Sequence, residues 1–233
     1  MDKQALRERV WDDLEDSGEA RFPFPPHGRI PNFAGADEAP DRLADLSAWD
    51  DADAIKANPD SPQRPVRRRA LEAGKTVYVA VPRLREEACF LRLDPAEIED
   101  HDHATTISGS AEVGEPVRPE AVESVDLIVS GSVAVTADGT RVGKGEGYSD
   151  LEFAVLREFD LVDDDTPVVT TVHELQVVDE AVERQAHDVP MDVVVTPERV
   201  VRTGATGKPA GLDWDELTDE RIEEIPVLQE LRP

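Results

Sequence analysis

The chain is short of cysteine, of long apolar runs and of positive charge, and each shortage excludes something. Its 233 residues hold one cysteine, Cys89. No internal disulfide can form, and nothing in the thiol count asks for an oxidising compartment. Cys89 lies in an apolar run and reads as a buried core thiol. No apolar run approaches the ~18 residues that a membrane-spanning helix needs. The charged residues from Asp2 onward do not read as a signal peptide. Lys and Arg number 25 against 52 Asp and Glu, a net charge of −27, and no stretch is basic enough to form a nucleic-acid footprint. These shortages describe a cytoplasmic protein with no membrane or nucleic-acid partner, read as a monomer.

What is abundant is carboxylate, spread through the chain instead of gathered into an acidic arm. Such a surface suits a protein kept soluble at very high salt, where charge repulsion is screened. A high-salt cytoplasm follows as an expectation. The length allows one large α/β domain or two small ones, burying roughly 70–75% of the unfolded surface.

Hydrophobic spacing sets the order of elements. Leu6, Val10 and Leu14 recur every four residues and predict a helix over 2–17. Lys3 and Arg7 fall one turn apart near its start, where like charges repel and the helix end is already positive. Such a pair is either tolerated or faces an anion. Residues 21–35 carry prolines and three phenylalanines, which predict an irregular segment docked on the surface. A short helix over 36–46 and a strand over 53–57 follow. After the turn Asn58-Pro59-Asp60-Ser61, a helix over 62–73 is capped by Asp60 or Ser61 and stopped by Gly74. Strands are predicted over 76–81 and 88–93. Strand, helix and strand in this order form a βαβ unit and argue for a parallel sheet. Residues 94–123 read as a long acidic excursion with little regular structure. Its His101-Asp102-His103 has metal-binding residue types, but neighbours in a loop rarely converge. Apolar strands are expected over 125–135, 167–173, 177–178, 191–196 and 200–201. Residues 204–233 read as a polar tail with one short helix over 213–217. His27, His173 and His187 read as structural or surface histidines.

The stretch Gly143-Lys144-Gly145-Glu146-Gly147-Tyr148-Ser149-Asp150 carries the chemistry. Glycines let backbone N–H groups approach an anion, a lysine neutralises charge, and an acid can hold a metal. The same pattern also makes ordinary hairpin loops. A strand and an Asp-Gly turn precede it, and a helix over 151–159 follows, which is the phosphate-compatible context.

The order of these motifs resembles the 5-formyltetrahydrofolate cyclo-ligase family, also called methenyltetrahydrofolate synthetases. Three landmarks carry the resemblance over roughly residues 2–202. They are Lys3-x-x-Leu6-Arg7, the run from Asp138 to Asp150, and His187-Asp188-Val189-Pro190-Met191-Asp192. The phenylalanine–proline segment and the turn before Pro62 resemble a divergent synthetase-domain branch. The resemblance implies a three-layer αβα fold with a mostly parallel central sheet, like that of sugar-phosphate isomerases and CoA-transferases, over residues 1–203. It implies ATP and Mg2+ as cofactors and a reduced folate as substrate. Lys144 and Tyr148 would be catalytic. Lys3, Arg7, Gly143, Lys144, Gly145, Glu146, Gly147, Tyr148 and Asp150 would contact the nucleotide. Asp150 and Asp188 would hold the metal, and Asp60 and Tyr148 would meet the folate. Two of the chain's five lysines, Lys3 and Lys144, fall at phosphate landmarks. Glu146 stands where the family has a glycine or a basic residue, and Ser149 replaces a second tyrosine. These two departures sustain a second expectation, a non-catalytic nucleotide- or folate-binding protein on the same scaffold.

The charge pattern makes one direct prediction. Thermal stability should rise as KCl is raised from dilute buffer to molar concentration. A melting temperature that falls as salt is added refutes the high-salt reading.

Overall fold

Short β-branched runs alternating with amphipathic helices fold the chain into a sheet covered on both faces. The computed structural model describes residues 2–233. It opens with helix α1 (Lys3–Asp16) and a short antiparallel pairing of β1 (Ala20–Arg21) with β2 (Asn32–Phe33). Helices α2 (Ala39–Ala44) and α3 (Ser47–Asp50) lead to β3 (Ala54–Ala57), α4 (Arg64–Glu72) and β4 (Thr76–Ala80). Strand β5 (Phe90–Leu93), helices α5 (His101–Ala104) and α6 (Ile107–Val113) and strand β6 (Glu115–Val117) follow. Next come β7 (Leu127–Ser130), the hairpin of β8 (Ala134–Thr136) with β9 (Arg141–Val142), and α7 (Tyr148–Glu158). Strands β10 (Val168–Thr171), β11 (Val177–Val178), β12 (Val193–Val195) and β13 (Val200–Arg202) precede α8 (Asp219–Glu224) and α9 (Pro226–Leu231).

The eight-stranded main sheet has the order β13-β12-β10-β7-β3-β4-β5-β6. Strands β12, β10, β7, β3 and β4 are mutually parallel. Strand β13 at one side, and β5 followed by β6 at the other, add antiparallel to their neighbours. Side chains alternate across β3, as the period of a strand requires. Ile55 and Ala57 join Val77, Val79, Leu127 and Val129 beneath α2–α4, while Ala54 joins Tyr78 and Ile128 beneath α7, α8 and α9. This is the expected three-layer, mostly parallel architecture. A separate small sheet pairs β8 with both β9 and β11. The stripe Leu6, Val10, Trp11 and Leu14 packs α1 onto it, against Phe33, Ala134, Val142 and Val178. Asp2 caps α1 by accepting from the N–H groups of Gln4 and Ala5.

Lys56 interrupts the apolar pattern of β3. Its ammonium is buried and pairs with the buried carboxylate of Glu152 on α7. Asn58 adds a second donor to the same carboxylate at 3.1 Å. A buried charge is tolerated when it is paired and hydrogen-bonded in this way.

The structure corrects several expectations. Residues 94–123 contain two helices and strand β6, so they are not irregular; α6 starts from a Thr106 cap whose side chain accepts from Gly109 N–H. Helix α4 begins at Arg64, after a 3-10 turn over Ser61–Gln63, and the Asp60 side chain makes no capping bond. In the 21–35 segment Ile30 and Phe33 are buried, but Phe22 and Phe24 stay 78% and 58% exposed. Residues 204–233 are more than a polar tail. No helix forms over 213–217, and α8 and α9 bury Ile222, Ile225, Val227 and Leu228 in the same cluster as α7. Cys89 is buried in that cluster, and burial pushes its thiol up to about 12, as a core thiol should behave. Among the described residues no helix is long and apolar enough to cross a membrane.

Leu228 is fully buried. Leu228→Ala should lower unfolding free energy by about 2–5 kcal/mol, measured by denaturant titration in high salt. A loss under about 0.5 kcal/mol would show that α9 is not part of the core.

Candidate active site

The site begins with a turn that only glycine can make. The β8–β9 hairpin turns through Gly139 at φ +87°, and a Cβ there would lie 2.3 Å from the Met191 carbonyl oxygen. Met191 N–H donates to Gly139 O at 2.9 Å, which brings the 187–192 segment against the hairpin. Beyond β9 the chain passes through Gly145 at φ +104° and Gly147 at φ +69°. Gly147 is the left-handed N-cap of α7. The helix therefore starts at Tyr148, three residues before the expected position. Its first turn, whose N–H groups have no intrahelical acceptor, faces a cavity of about 610 Å3.

Ion pairs fix the walls. The half-turn from hairpin to helix is closed by Arg141, whose Nη2 meets Asp150 Oδ2 at 2.6 Å and whose Nη1 donates to Gly131 O at 2.9 Å. Asp150 Oδ1 accepts from Val189 N–H at 3.0 Å. The adjacent Asp188 takes Lys3 Nζ at 2.6 Å and Gln185 N–H at 2.8 Å through Oδ2. From the next turn of α1, Arg7 Nε donates to Gly143 O at 2.6 Å. Lys3 and Arg7 thus face one cavity together with the glycine loop, Asp60, Asp150 and Asp188. Their mutual repulsion on α1 is offset by an aspartate and a carbonyl from distant segments.

Inside the loop, Lys144 Nζ meets Glu146 Oε2 at 2.6 Å, and Arg83 approaches the other oxygen at 3.6 Å. The hydrogen bond from Lys144 is the main reason the Glu146 carboxyl is held below its usual range; burial opposes it. The Asp60 carboxyl is pushed up by burial, against the pull of the Lys144 and Arg67 charges. Arg67 is buried beneath the 58–60 turn and donates to the carbonyls of Asn58, Pro59, Asp60 and Thr105. Burial pushes its guanidinium down to about 10. Ser149 donates to Asn58 Oδ1 at 3.2 Å and lies 3.3 Å from Ser130 Oγ. Ser149 is thus joined to the polar floor of the cavity.

Other sequence candidates lie elsewhere or serve the scaffold. His27 pairs with Asp12 and packs against Trp11. His173 caps a 3-10 turn. His103 pairs with Glu112 on the neighbouring helix, and among the described residues no three His, Cys, Asp or Glu side chains gather to hold a metal. His187 does line the cavity, 3.9 Å from Asp188 Oδ1. Sequence reasoning gave no role to Arg141, Asn58, Arg83, the Lys56–Glu152 pair or Arg221. Arg141 stood inside the glycine motif, and Lys56 was a lysine inside an apolar strand of a lysine-poor chain. Arg83 and Arg221 had no local signal.

A mostly parallel three-layer sheet, with a cation-ringed glycine loop opening a helix, has the architecture of α/β proteins that bind ligands at strand ends and helix starts. Within that class the assignment is specific. The 5-formyltetrahydrofolate cyclo-ligase family profile matches residues 1–197, and the chain belongs to this family of folate cyclo-ligases. It is 44% identical to the mouse methenyltetrahydrofolate synthase domain-containing protein over 238 residues, covering 100% of this chain and 63% of the relative. The human protein of the same description is 40% identical over 239 residues, with 62% of its length covered. The chain thus spans less than two thirds of these relatives. The solution structure of Aquifex aeolicus 5,10-methenyltetrahydrofolate synthetase shares the fold, with a TM-score of 0.55 and 22% identity over 88% of this chain and 94% of that one.

The Arg141–Asp150 pair should behave as a unit. Asp150→Ala should destabilise by about 3–5 kcal/mol by leaving a buried guanidinium unpaired. Adding Arg141→Ala should cost much less than the sum of the two single losses. Strict additivity in denaturant titrations would show that the pair does not join loop to helix.

Proposed function

We propose that the chain converts 5-formyltetrahydrofolate to 5,10-methenyltetrahydrofolate, using ATP and Mg2+, in a high-salt cytoplasm. The observation that carries this reading is the convergence of Lys3, Arg7, the glycine loop and Asp188 on one cavity. Those segments are distant in sequence, and they are the three landmarks of the family resemblance.

In the proposed reaction the formyl oxygen on N5 attacks the terminal phosphoryl group of ATP, and the bridging P–O bond breaks to release ADP. N10 then adds to the activated formyl carbon and loses its proton. Departure of inorganic phosphate breaks the carbon–oxygen bond and leaves the methenyl bridge. No covalent nucleophile from the protein is needed. The protein's contribution is positioning and charge neutralisation, as in other phosphoryl transfers. Lys144 and the amides of Gly145 and Gly147 stabilise the transferring group, while Lys3 and Arg7 hold the remaining phosphates. Val79, Val81 and Leu91 give the cavity an apolar wall for the pterin, with Asp60 at its polar edge and Tyr148 near the reacting formyl group. Mg2+ suits a site of carboxylate and phosphate oxygens and neutralises phosphate charge when bound. Asp188 fits it better than Asp150. Among the described residues its Oδ1 accepts no hydrogen bond and has His187 at 3.9 Å, whereas both oxygens of Asp150 already accept hydrogen bonds.

One observation favours a second reading, a nucleotide- or folate-binding protein without turnover. Lys144 is already paired with an acid of its own loop, so an incoming phosphate must compete for it. The two readings separate in one assay: protein in high salt with Mg-ATP and 5-formyltetrahydrofolate, followed by methenyl absorbance. Turnover that falls about 100-fold or more in Lys144→Ala supports the enzyme. Ligand binding without product supports the second reading. A near-normal rate in Lys144→Ala overturns the role given to the loop.

A further inference from the structure

The residues matched by the family profile end at 197, yet one side chain well beyond that point reaches back to the glycine loop. Arg221 lies on α8. Thr218 caps this helix by accepting from Arg221 N–H at 3.2 Å, and Ile222 and Ile225 anchor it in the core. The Arg221 guanidinium carbon lies 4.6 Å from the centroid of the Tyr148 ring. Its Nη2 donates to the Glu146 carbonyl at 2.8 Å. It also passes close to Gly147, where a Cβ would lie 3.8 Å from Nη1. One guanidinium therefore touches the residues on either side of Gly147 through two kinds of contact: a backbone hydrogen bond to Glu146 and a cation–π contact with Tyr148.

These three residues are the hinge between loop and helix. Gly147 is the left-handed cap of α7, and Leu151 N–H makes its first helical bond to Gly147 O at 3.1 Å. The direction of the first-turn amides and the orientation of the Tyr148 ring both depend on this cap. Arg83 reaches the same stretch from the opposite segment, but through the Glu146 carboxylate. The backbone and the aromatic ring are held by Arg221. A lysine could supply the charge but not the planar group that stacks on a ring while donating in its own plane.

The geometry points to Arg221 as a positioning residue that clamps the 146–148 stretch, making the C-terminal helical pair a working part of the site. For its ligand the inference rests on the proposed ATP-dependent reaction. For the clamp itself it rests only on the contacts.

The test uses the whole chain in high salt, comparing wild type with Arg221→Ala and Arg221→Lys, and with Arg232→Ala as a control on the same segment. Arg232 pairs with Asp219 on the surface, away from the loop. Two quantities are read: amide hydrogen exchange at Leu151, and Mg-ATP affinity by calorimetry. Arg221→Ala should speed Leu151 exchange by about 30-fold or more, the combined effect of one charge-assisted hydrogen bond and one cation–π contact. It should weaken Mg-ATP binding by a similar factor. Arg221→Lys should fall between it and wild type, and Arg232→Ala should match wild type. Unchanged Leu151 exchange in Arg221→Ala overturns the clamp, whatever the ligand does. Faster exchange with unaltered Mg-ATP affinity overturns its part in the site. If wild type binds no Mg-ATP, the proposed reaction fails, and the exchange result alone still decides the clamp.

Discussion

The half-buried pair between Arg141 and Asp150 is the contact on which the site depends. It joins the end of a hairpin to the first turn of α7, so it closes the glycine loop at its base. Each partner then extends the connection. Arg141 reaches the Gly131 carbonyl at the end of a central strand, and Asp150 accepts from Val189 N–H. Val189 carries Asp188 beside it, Asp188 takes Lys3, and Arg7 on the same helix takes the Gly143 carbonyl. The circuit runs from loop to helix to turn to α1 and back to the loop. Hydrophobic burial holds each element in its layer, but these directional contacts set where the elements meet.

In a chain with this excess of acid, most lysines find a carboxylate partner. The five lysines illustrate how they are used. Lys56, Lys208, Lys3 and Lys144 pair with Glu152, Asp192, Asp188 and Glu146, and Lys75 donates to the Ala52 carbonyl beside the Trp49 ring. Lys56 and Lys208 are buried pins of the scaffold. Lys3 and Lys144 open on the cavity, with Arg7, Arg83 and Arg141 around them. Asp60, Glu146, Asp150, Glu152 and Asp188 line the same cavity, so its charges are balanced where the chain as a whole is strongly negative. An anion meets less repulsion there than elsewhere on the surface.

Much of this was legible in the sequence, for physical reasons that also mark the limits. The βαβ unit could be read because β-branched runs and a Gly74 stop are local signals, and Gly74 does adopt φ +78°. The glycine loop could be read because positive φ at Gly145 and Gly147 restricts residue choice. Residues 94–123 could not be read, because helices of four and seven residues are too short to display a 3.6 period. The same limit hid α8 and α9, whose apolar residues Ile222, Ile225, Val227 and Leu228 look like scattered exceptions in a polar stretch. Arg221 could not be read at all. An arginine stacked on a tyrosine more than seventy positions earlier is set by tertiary packing alone, and nothing near it in sequence distinguishes it from a surface residue.

Glu146 is the residue that most needs an explanation, since a carboxylate in a phosphate loop repels the ligand that the loop is proposed to hold. The structure gives it a large positive neighbourhood: Lys144 on one oxygen, Arg83 near the other, and Arg221 at its own carbonyl. The loop therefore carries its countercharge before any ligand arrives, and three cations need not face one another bare. A phosphate carries more charge than a carboxylate and offers three acceptor oxygens. It can draw Lys144 away while Arg83 remains to hold Glu146, and Arg221 keeps the backbone in place through the exchange. The acid is therefore countered before any ligand arrives, by Lys144 from its own loop and by Arg83 and Arg221, the two arginines that sequence reasoning missed.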